Sequence, residues 1–466
     1  MIAPPISEMN IRTGSNTPLV TEKMSKNILN SSFNLLEGIQ EFRLENGLQV
    51  LLKPVPSSSV VSTWIFYKVG SRNEKLGNTG ASHWCEHMLF KGGGKLGKGD
   101  VHTLVSSEGG RNNAFTDHDV TAYYETLPKD RIDLGLFIES ERMANSAFDL
   151  AEVESERQVI ISEREGSENY PQYLIREEIF ATAYHQHPYM WPVIGWKEDL
   201  RNMSRDDLYQ HYKRYYHPNN AILVVCGNFD QEKVSTDITS LFSKIPAGEK
   251  IPNKIPFHEL QQKGERVVKL TQPGTLNYLG VAYHIPEVTH DDIPALIVLS
   301  AVLGGWRGLI GFFGDRFVPK TNRLYKRLVE GNIASEVNTY FPINIDPCLL
   351  YFDVTLNPGI GMNTATEAFF SEIDRMRDIA PNDSEMKVAF NQIRAWHAYE
   401  NDGIGLQALS IGYMERIQSR ELANSLMEKS LQIKTEDVRR VSRHYLSEMN
   451  RVVGEFNSTS GGISIV

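Results

Sequence analysis

The run His83-Trp84-Cys85-Glu86-His87 carries the clearest chemistry in the chain. On a helix, residues four apart stack on one face, so both imidazoles reach one cation. Glu86, three beyond His83, joins that face. A carboxylate placed there need not be a ligand, because it can take a proton from a water held by the cation. The order is H-x-x-E-H, the reverse of the commoner H-E-x-x-H. Two imidazoles and one carboxylate, with a fourth position left to water, describe a catalytic zinc site. The third ligand must come from elsewhere. The stretch 151–167 is rich in glutamate, and Glu156 and Glu163 lie seven apart, about two helical turns on one face. One of them completes the metal sphere and the other orients a ligating histidine. Spacing alone does not choose between them.

Such a site needs rigid elements around it. Gly80-Ala81-Ser82 reads as a helix start and Met88-Leu89-Phe90 as apolar anchoring, which gives a helix over Ala81–Phe90. Near-continuous apolar strands at Gly47–Lys53 and Ser59–Val69 suit a sheet covered by helices. Helices are expected over Asp130–Asn145, Ala151–Ser167, Gln172–Tyr184 and Ser204–Tyr216, the last with Ser204 and Asp207 placed as a capping pair. A buried strand follows at Ala221–Cys226. Beyond a polar stretch at 247–264, strands are expected at Val267–Leu270 and Tyr278–Tyr283. Helices are expected over Asp291–Leu303, Arg323–Val329, Thr364–Arg377, Asp383–Glu400 and Asp437–Tyr445.

The two halves echo each other. The first closes with Leu208, Tyr216, Asn220 and Val225-Cys226-Gly227-Asn228-Phe229, and the second with Val438, Tyr445, Asn450 and Val453-Gly454-Glu455-Phe456. Leu208 to Val438 and Asn220 to Asn450 both span 230 positions. Two diverged copies of one α+β module explain the recurrence, each a mainly antiparallel sheet packed with helices. The expected organisation is a flexible arm over 1–35, a first module over 36–246, a linker over 247–264 and a homologous second module over 265–466.

The chain has 466 residues, room for two to four domains of roughly 100–200 residues each. Its 48 basic and 58 acidic residues leave a formal charge of -10, which excludes a broad basic field for nucleic acid. No apolar run reaches the roughly 18–20 residues that span a bilayer, and residues 1–35 lack a secretory-signal pattern. No membrane partner is expected. Cys85, Cys226 and Cys348 are too few and too scattered for a disulfide framework, so the cytoplasm is the expected compartment.

From about Phe42 onward the chain resembles the pitrilysin-type zinc peptidases, the M16 or inverzincin family. That family carries H-x-x-E-H and then a glutamate about 76 residues after the second histidine, which here is Glu163. A further acidic residue seven before that ligand corresponds to Glu156. The resemblance therefore implies that His83, His87 and Glu163 bind one zinc ion per chain. It makes Glu86 the general base and Glu156 the residue that supports the site. Gly109-Gly110 with Asn113-Ala114-Phe115-Thr116 resembles the family's cleft-lining strand, which implies peptide substrates bound along Asn113, Ala114, Phe115 and Thr116. His187-Pro188-Tyr189 with Pro192-Val193-Ile194-Gly195 resembles the family's H-P-Y-x-x-P-V-x-G stretch. The implied fold is the LuxS/MPP-like metallohydrolase type, and the implied activity is zinc-dependent endopeptidase cleavage of extended or unfolded peptides.

The second half departs from the pattern. Active single-chain relatives supply an Arg and, seven residues later, a Tyr that hold the substrate oxyanion. Val329 and Glu336 stand in those places, and neither donates the needed hydrogen bonds. Arg323, Tyr325 and Arg327 are near but out of register. The departure implies a zinc-bearing subunit that pairs with a paralogous M16 chain carrying the Arg/Tyr pair. The alternatives are a self-sufficient homodimeric peptidase that uses other donors and a non-catalytic scaffold. The intact His83, Glu86, His87 and Glu163 set argues against the scaffold.

Other candidates carry less. Gly92–Gly99 nearly matches a phosphate-binding loop, but a final glycine replaces the required hydroxyl. Cys85 is expected to fill the core. His118 could line the cleft, and His187 is expected to pack. The stretch Gly305–Phe313 fits either a subunit interface or ordinary burial.

Overall fold

Among the described residues eleven strands build two sheets, the inner ones buried along nearly their whole length, and the site hangs on the first sheet. The computed structural model describes residues 35–252, 255, 259–310 and 320–459. The arm expected over 1–35 lies, up to residue 34, outside these residues, as do 311–313 of the glycine-rich stretch. The first sheet contains β1 (Gln40–Arg43), β2 (Gln49–Pro54), β3 (Val60–Tyr67), β4 (Arg111–Thr116), β5 (Thr121–Pro128) and β6 (Ala221–Gly227). Their spatial order is β1-β2-β6-β3-β5-β4. The second sheet contains β7 (Arg266–Pro273), β8 (Tyr278–Ile285), β9 (Ala334–Tyr340), β10 (Cys348–Leu356) and β11 (Arg451–Thr459). Its order is β7-β11-β8-β10-β9.

Both sheets are mixed. β2 runs parallel to β6, β7 runs parallel to β11, and the remaining neighbours are antiparallel. With β1 set aside, the two orders are the same topology. The 230-residue echo reaches atomic detail: Asn220 Nδ2 donates to the Tyr215 carbonyl at 2.9 Å, and Asn450 Nδ2 to the Tyr445 carbonyl at 2.8 Å. Leu208 and Val438 are both fully buried.

The halves also exchange helices. The helix Pro171–Ala183 comes from the first half but packs on β8 and β11 of the second sheet. Ile175 and Ile179 settle over Gly280 and Gly454, which face each other in register across β8 and β11. Any side chain at either glycine would collide with these isoleucines, so the pair forms a notch for close helix approach. In return the helix Ile404–Ile417 lies on β3 and β6 of the first sheet, with Gly412 against the Phe66 ring. A helix serving a sheet buries most of its circumference when other helices flank it, and Ile404–Ile417 accordingly shows little polar face.

A buried polar cluster joins the two halves near the site. The Asp119 carboxylate accepts from Tyr189 Oη at 2.8 Å, Asn344 Nδ2 at 3.0 Å and the Ile345 amide at 3.1 Å. Arg72, nearly fully buried, bonds Asp346 at 2.5 Å and lies 3.5 Å from Asp119. The expected linker is anchored too: Glu259 accepts the backbone amides of His185, Gln186 and His187.

Candidate metal centre

The H-x-x-E-H run sits on the helix Ala81–Met88. Trp84, Cys85 and Met88 are fully buried on its inner face, which pins the opposite face toward the cleft. Burial of Met88 alone contributes roughly 1.5–3 kcal/mol. Cys85 is a core residue, its thiol directed at the Leu208 carbonyl. The helix begins at Gly80, whose φ of 88° lies in the left-handed region. A Cβ there would overlap the Ile194 carbonyl, and one at Gly195 (φ 89°) would overlap the Thr79 carbonyl. The P-V-I-G stretch thus packs against the helix start. Glu74, from the preceding loop, accepts the Gly80 and Ser82 amides at 2.7 Å each and satisfies two donors that a helix start leaves open.

The helix Leu150–Glu168 supplies the acids. Asp149 caps it by accepting from the Ala151 and Glu152 amides at 2.9 and 3.3 Å. Glu163 stands beside the histidines: its carboxylate is 3.8 Å from His83 Nε2 and 3.6 Å from His87 Nε2. The three ligating atoms all lie within 4.8 Å of one another. Donors about 2.0–2.2 Å from a tetrahedral zinc sit roughly 3.3–3.6 Å apart, so the observed spacing fits the ion with little adjustment. Glu156 takes the other place, accepting from His87 Nδ1 at 2.9 Å and pairing with Lys91. That bond leaves His87 Nε2 free to ligate. Burial would raise the Glu156 pKa, but its bonds to His87 and Lys91 win and hold it low. His83 is held neutral: burial and then the neighbouring His87 lower its pKa to about 3. Its Nδ1 is buried without a partner among the described residues.

Glu86 faces the same space. Its Oε2 accepts the Thr116 hydroxyl at 2.6 Å. Burial lifts its pKa, against the opposing effects of the Thr116 bond and His87. Thr116 ends β4, one of the two outer strands of the first sheet. Strand alternation puts Ala114 on the Thr116 side of β4 and Asn113 and Phe115 on the other. The structure therefore gathers Thr116 with the cluster, while Asn113 and Phe115 reach only the strand's far face.

A cavity of about 390 Å³ opens beside His83 and Glu163, lined also by Thr116, His118, Arg176 and Tyr340. A second, of about 440 Å³, shares Asp117, Arg176 and Tyr340 with it and is walled by β9 and Gly305–Ile310. His118 lines the first, as expected for the cleft. His187 packs against Asp346 at 3.2 Å. Glu336 lines the second cavity and Val329 lines neither. Arg323 is engaged by the Glu385 carboxylate at 2.7 and 3.0 Å. Arg176 and Tyr340 were not among the residues singled out from sequence, because neither sits in a motif and only the helix exchange brings them to the groove.

The chain thus builds two mixed α/β sheets, each packed with helices, and brings His83, His87 and Glu163 within reach of a single metal ion. Family descriptions agree: "Insulinase (Peptidase family M16)" matches residues 49–196, and "Peptidase M16 inactive domain" matches residues 202–393. The chain belongs to the M16 peptidase family. It is 27% identical over 410 residues to the zinc protease PqqE of Helicobacter pylori, covering 87% of this chain and 89% of the relative. It is 24% identical to the mitochondrial-processing peptidase subunit beta of Blastocladiella emersonii over 416 residues, 89% of this chain and 87% of that one. A crystal structure of a protease from Helicobacter pylori superposes with a TM-score of 0.84 at 25% identity, covering 90% of this chain and 99% of that chain. The first half of the periplasmic protease PqqL from Escherichia coli shares the fold, with a TM-score of 0.72 at 20% identity over 91% and 92% of the two chains.

Proposed function

We propose that this chain is a zinc-dependent endopeptidase that completes its active site from its own two halves. The observation that carries the reading is the convergence of His83, His87 and Glu163, with Glu86 on the same helix face and Glu156 on His87 Nδ1. Bound there, zinc supplies Lewis acidity to a substrate carbonyl and lowers the pKa of a water. Glu86 takes the proton of the attacking water and passes it to the leaving amine, so one water is consumed per bond cleaved. Glu156 keeps the His87 ring in the tautomer and orientation that ligation needs. The free edge of β4 receives an extended peptide by strand addition, which reads backbone and little sequence. Thr116 couples that edge to Glu86. The LuxS/MPP-like description of the fold belongs to this reading. So does the division into a zinc-bearing module at 36–246 and a homologous module at 265–466. The three buried, unpaired cysteines suit a reducing compartment, and the cytoplasm is the proposed setting. Among the described residues no helix is long and apolar enough to cross a membrane.

Self-sufficiency is favoured over dependence on a paralogue because the groove beside the cluster is already walled by the second sheet of the same chain. The full-length likeness to PqqE, which is named a zinc protease, supports a peptidase of this size. Hydrolysis of a quenched peptide library by the purified chain, before and after chelation and zinc return, tests the reading. Chelation-sensitive cleavage supports it, and cleavage that persists in Glu86→Gln contradicts it. Absence of any cleavage without a paralogous chain would restore the two-subunit reading that Val329 and Glu336 favour.

A further inference from the structure

We propose that Arg176 and Tyr340 donate the hydrogen bonds to the substrate backbone that Val329 and Glu336 cannot. The proposal rests on the peptidase reading above and names the groups that complete its site. Both side chains line both cavities and so stand where the metal-side groove passes into the second sheet. Both residues are exposed, Tyr340 by 40% over the whole residue, while its hydroxyl lies deep enough in the groove for burial to push its pKa up. Among the described residues, neither the Arg176 guanidinium nor the Tyr340 hydroxyl has a hydrogen bond or ion pair. An unpaired guanidinium offers five donors and a phenol one, the same two donor types that the family places elsewhere.

Their placement is built in. Arg176 follows Ile175 on the exchanged helix Pro171–Ala183, which the glycine notch of β8 and β11 locks to the second sheet. Tyr340 ends β9, one of the two outer strands of that sheet, opposite Tyr351 in register. Strand alternation puts Glu336, Asn338 and Tyr340 on one face, and all three line the second cavity. Tyr340 is therefore two pleats along the same face from the position where the family carries its tyrosine. The Tyr351 hydroxyl, buried in the same wall, has no partner among the described residues and marks a further polar contact for a bound chain. Arg307, in the wall of the second cavity, is engaged by Asn338, while Arg323 is held by Glu385 and Arg327 lines neither cavity.

The test uses the zinc-loaded full chain carrying Tyr340→Phe, Arg176→Gln or Arg176→Lys, each also made in the Glu86→Gln background. Hydrolysis of the quenched peptide library gives kcat/KM. Binding of a fluorescein-labelled, unstructured Ala/Leu decapeptide to the Glu86→Gln chains gives Kd without turnover. Tyr340→Phe and Arg176→Gln should each lower kcat/KM by about 100-fold, with a smaller loss for Arg176→Lys. They should also weaken Kd severalfold, at wild-type zinc content and thermal midpoint. Unchanged kcat/KM and Kd in an active enzyme would overturn the pair and leave the peptidase reading standing. If the wild-type chain hydrolyses nothing, that reading fails by itself and Kd decides: weaker binding keeps both residues as backbone donors, and unchanged binding overturns them.

Discussion

The Thr116 hydroxyl donates to Glu86 Oε2 across 2.6 Å, joining the end of an outer strand to the carboxylate on the helix that carries His83 and His87. In the proposed mechanism this bond places a peptide paired with β4 in register with Glu86, the proposed proton acceptor. Thr116→Val removes the bond at nearly constant volume. With one fewer donor stabilising the carboxylate, the Glu86 pKa rises further. The acidic limb of the kcat/KM profile should move to higher pH, with zinc content unchanged. A pH–rate series on the variant checks this.

Glu156 acts through His87. Glu156→Ala leaves His87 Nδ1 without its 2.9 Å partner and Lys91 without its counter-charge. Loss of such an outer partner typically costs 10–100-fold in metal affinity. Zinc competition against a fluorescent chelator should show a loss of about that size, while Glu156→Gln retains more.

The start of the metal-bearing helix depends on a remote acid. Glu74→Ala strands the Gly80 and Ser82 amides in a buried setting. Each unmet donor costs about 1–3 kcal/mol, so a loss of at least about 2 kcal/mol is expected in urea unfolding. Gly195→Ala should be destabilising for a different reason, because it combines a positive φ with an overlap on the Thr79 carbonyl. Thermal unfolding of both variants checks the two effects separately.

The junction of the halves carries a pH signature. Burial alone would raise the Asp346 pKa, but hydrogen bonds from His187 and Arg72 and the Arg72 charge bring it down to about 2. A carboxyl depressed in the folded state stabilises above its unfolded value near 3.8, and that stability drains as pH falls toward 2. The shift corresponds to about 2 kcal/mol at neutral pH. Asp346→Asn should lose this amount at pH 7 and show a flatter decline between pH 4 and 2, measured by urea unfolding across pH.

The candidate metal centre was legible because its elements are local: His83, Glu86 and His87 share one helix face. Glu156 and Glu163 share another, although only the resemblance separated their roles. The echo between Asn220 and Asn450 was also legible, since each side chain holds the carbonyl five residues before it. Elements stabilised by distant partners were not. β5 carries Glu125 fully buried against Glu139 and Arg142, so its polar residues disguise a core strand. β9, β10, the helix Asp100–Ser107 and the helix Ile404–Ile417 were not anticipated either, although β10 is a nearly continuous apolar run. The last is apolar nearly all round because it serves the opposite sheet, and no local pattern announces an exchanged helix. The same exchange hides Arg176, which sits in no motif and is brought to the groove only by the packing of its helix on the second sheet.

The central claim is tested most directly by comparing wild-type chain and Glu86→Gln, both zinc-loaded, for cleavage of one quenched peptide library. The account predicts cleavage by the wild-type chain alone and a loss of at least about 100-fold in Glu86→Gln, with one zinc per chain in both. Wild-type rates from Glu86→Gln at the same zinc content would contradict it.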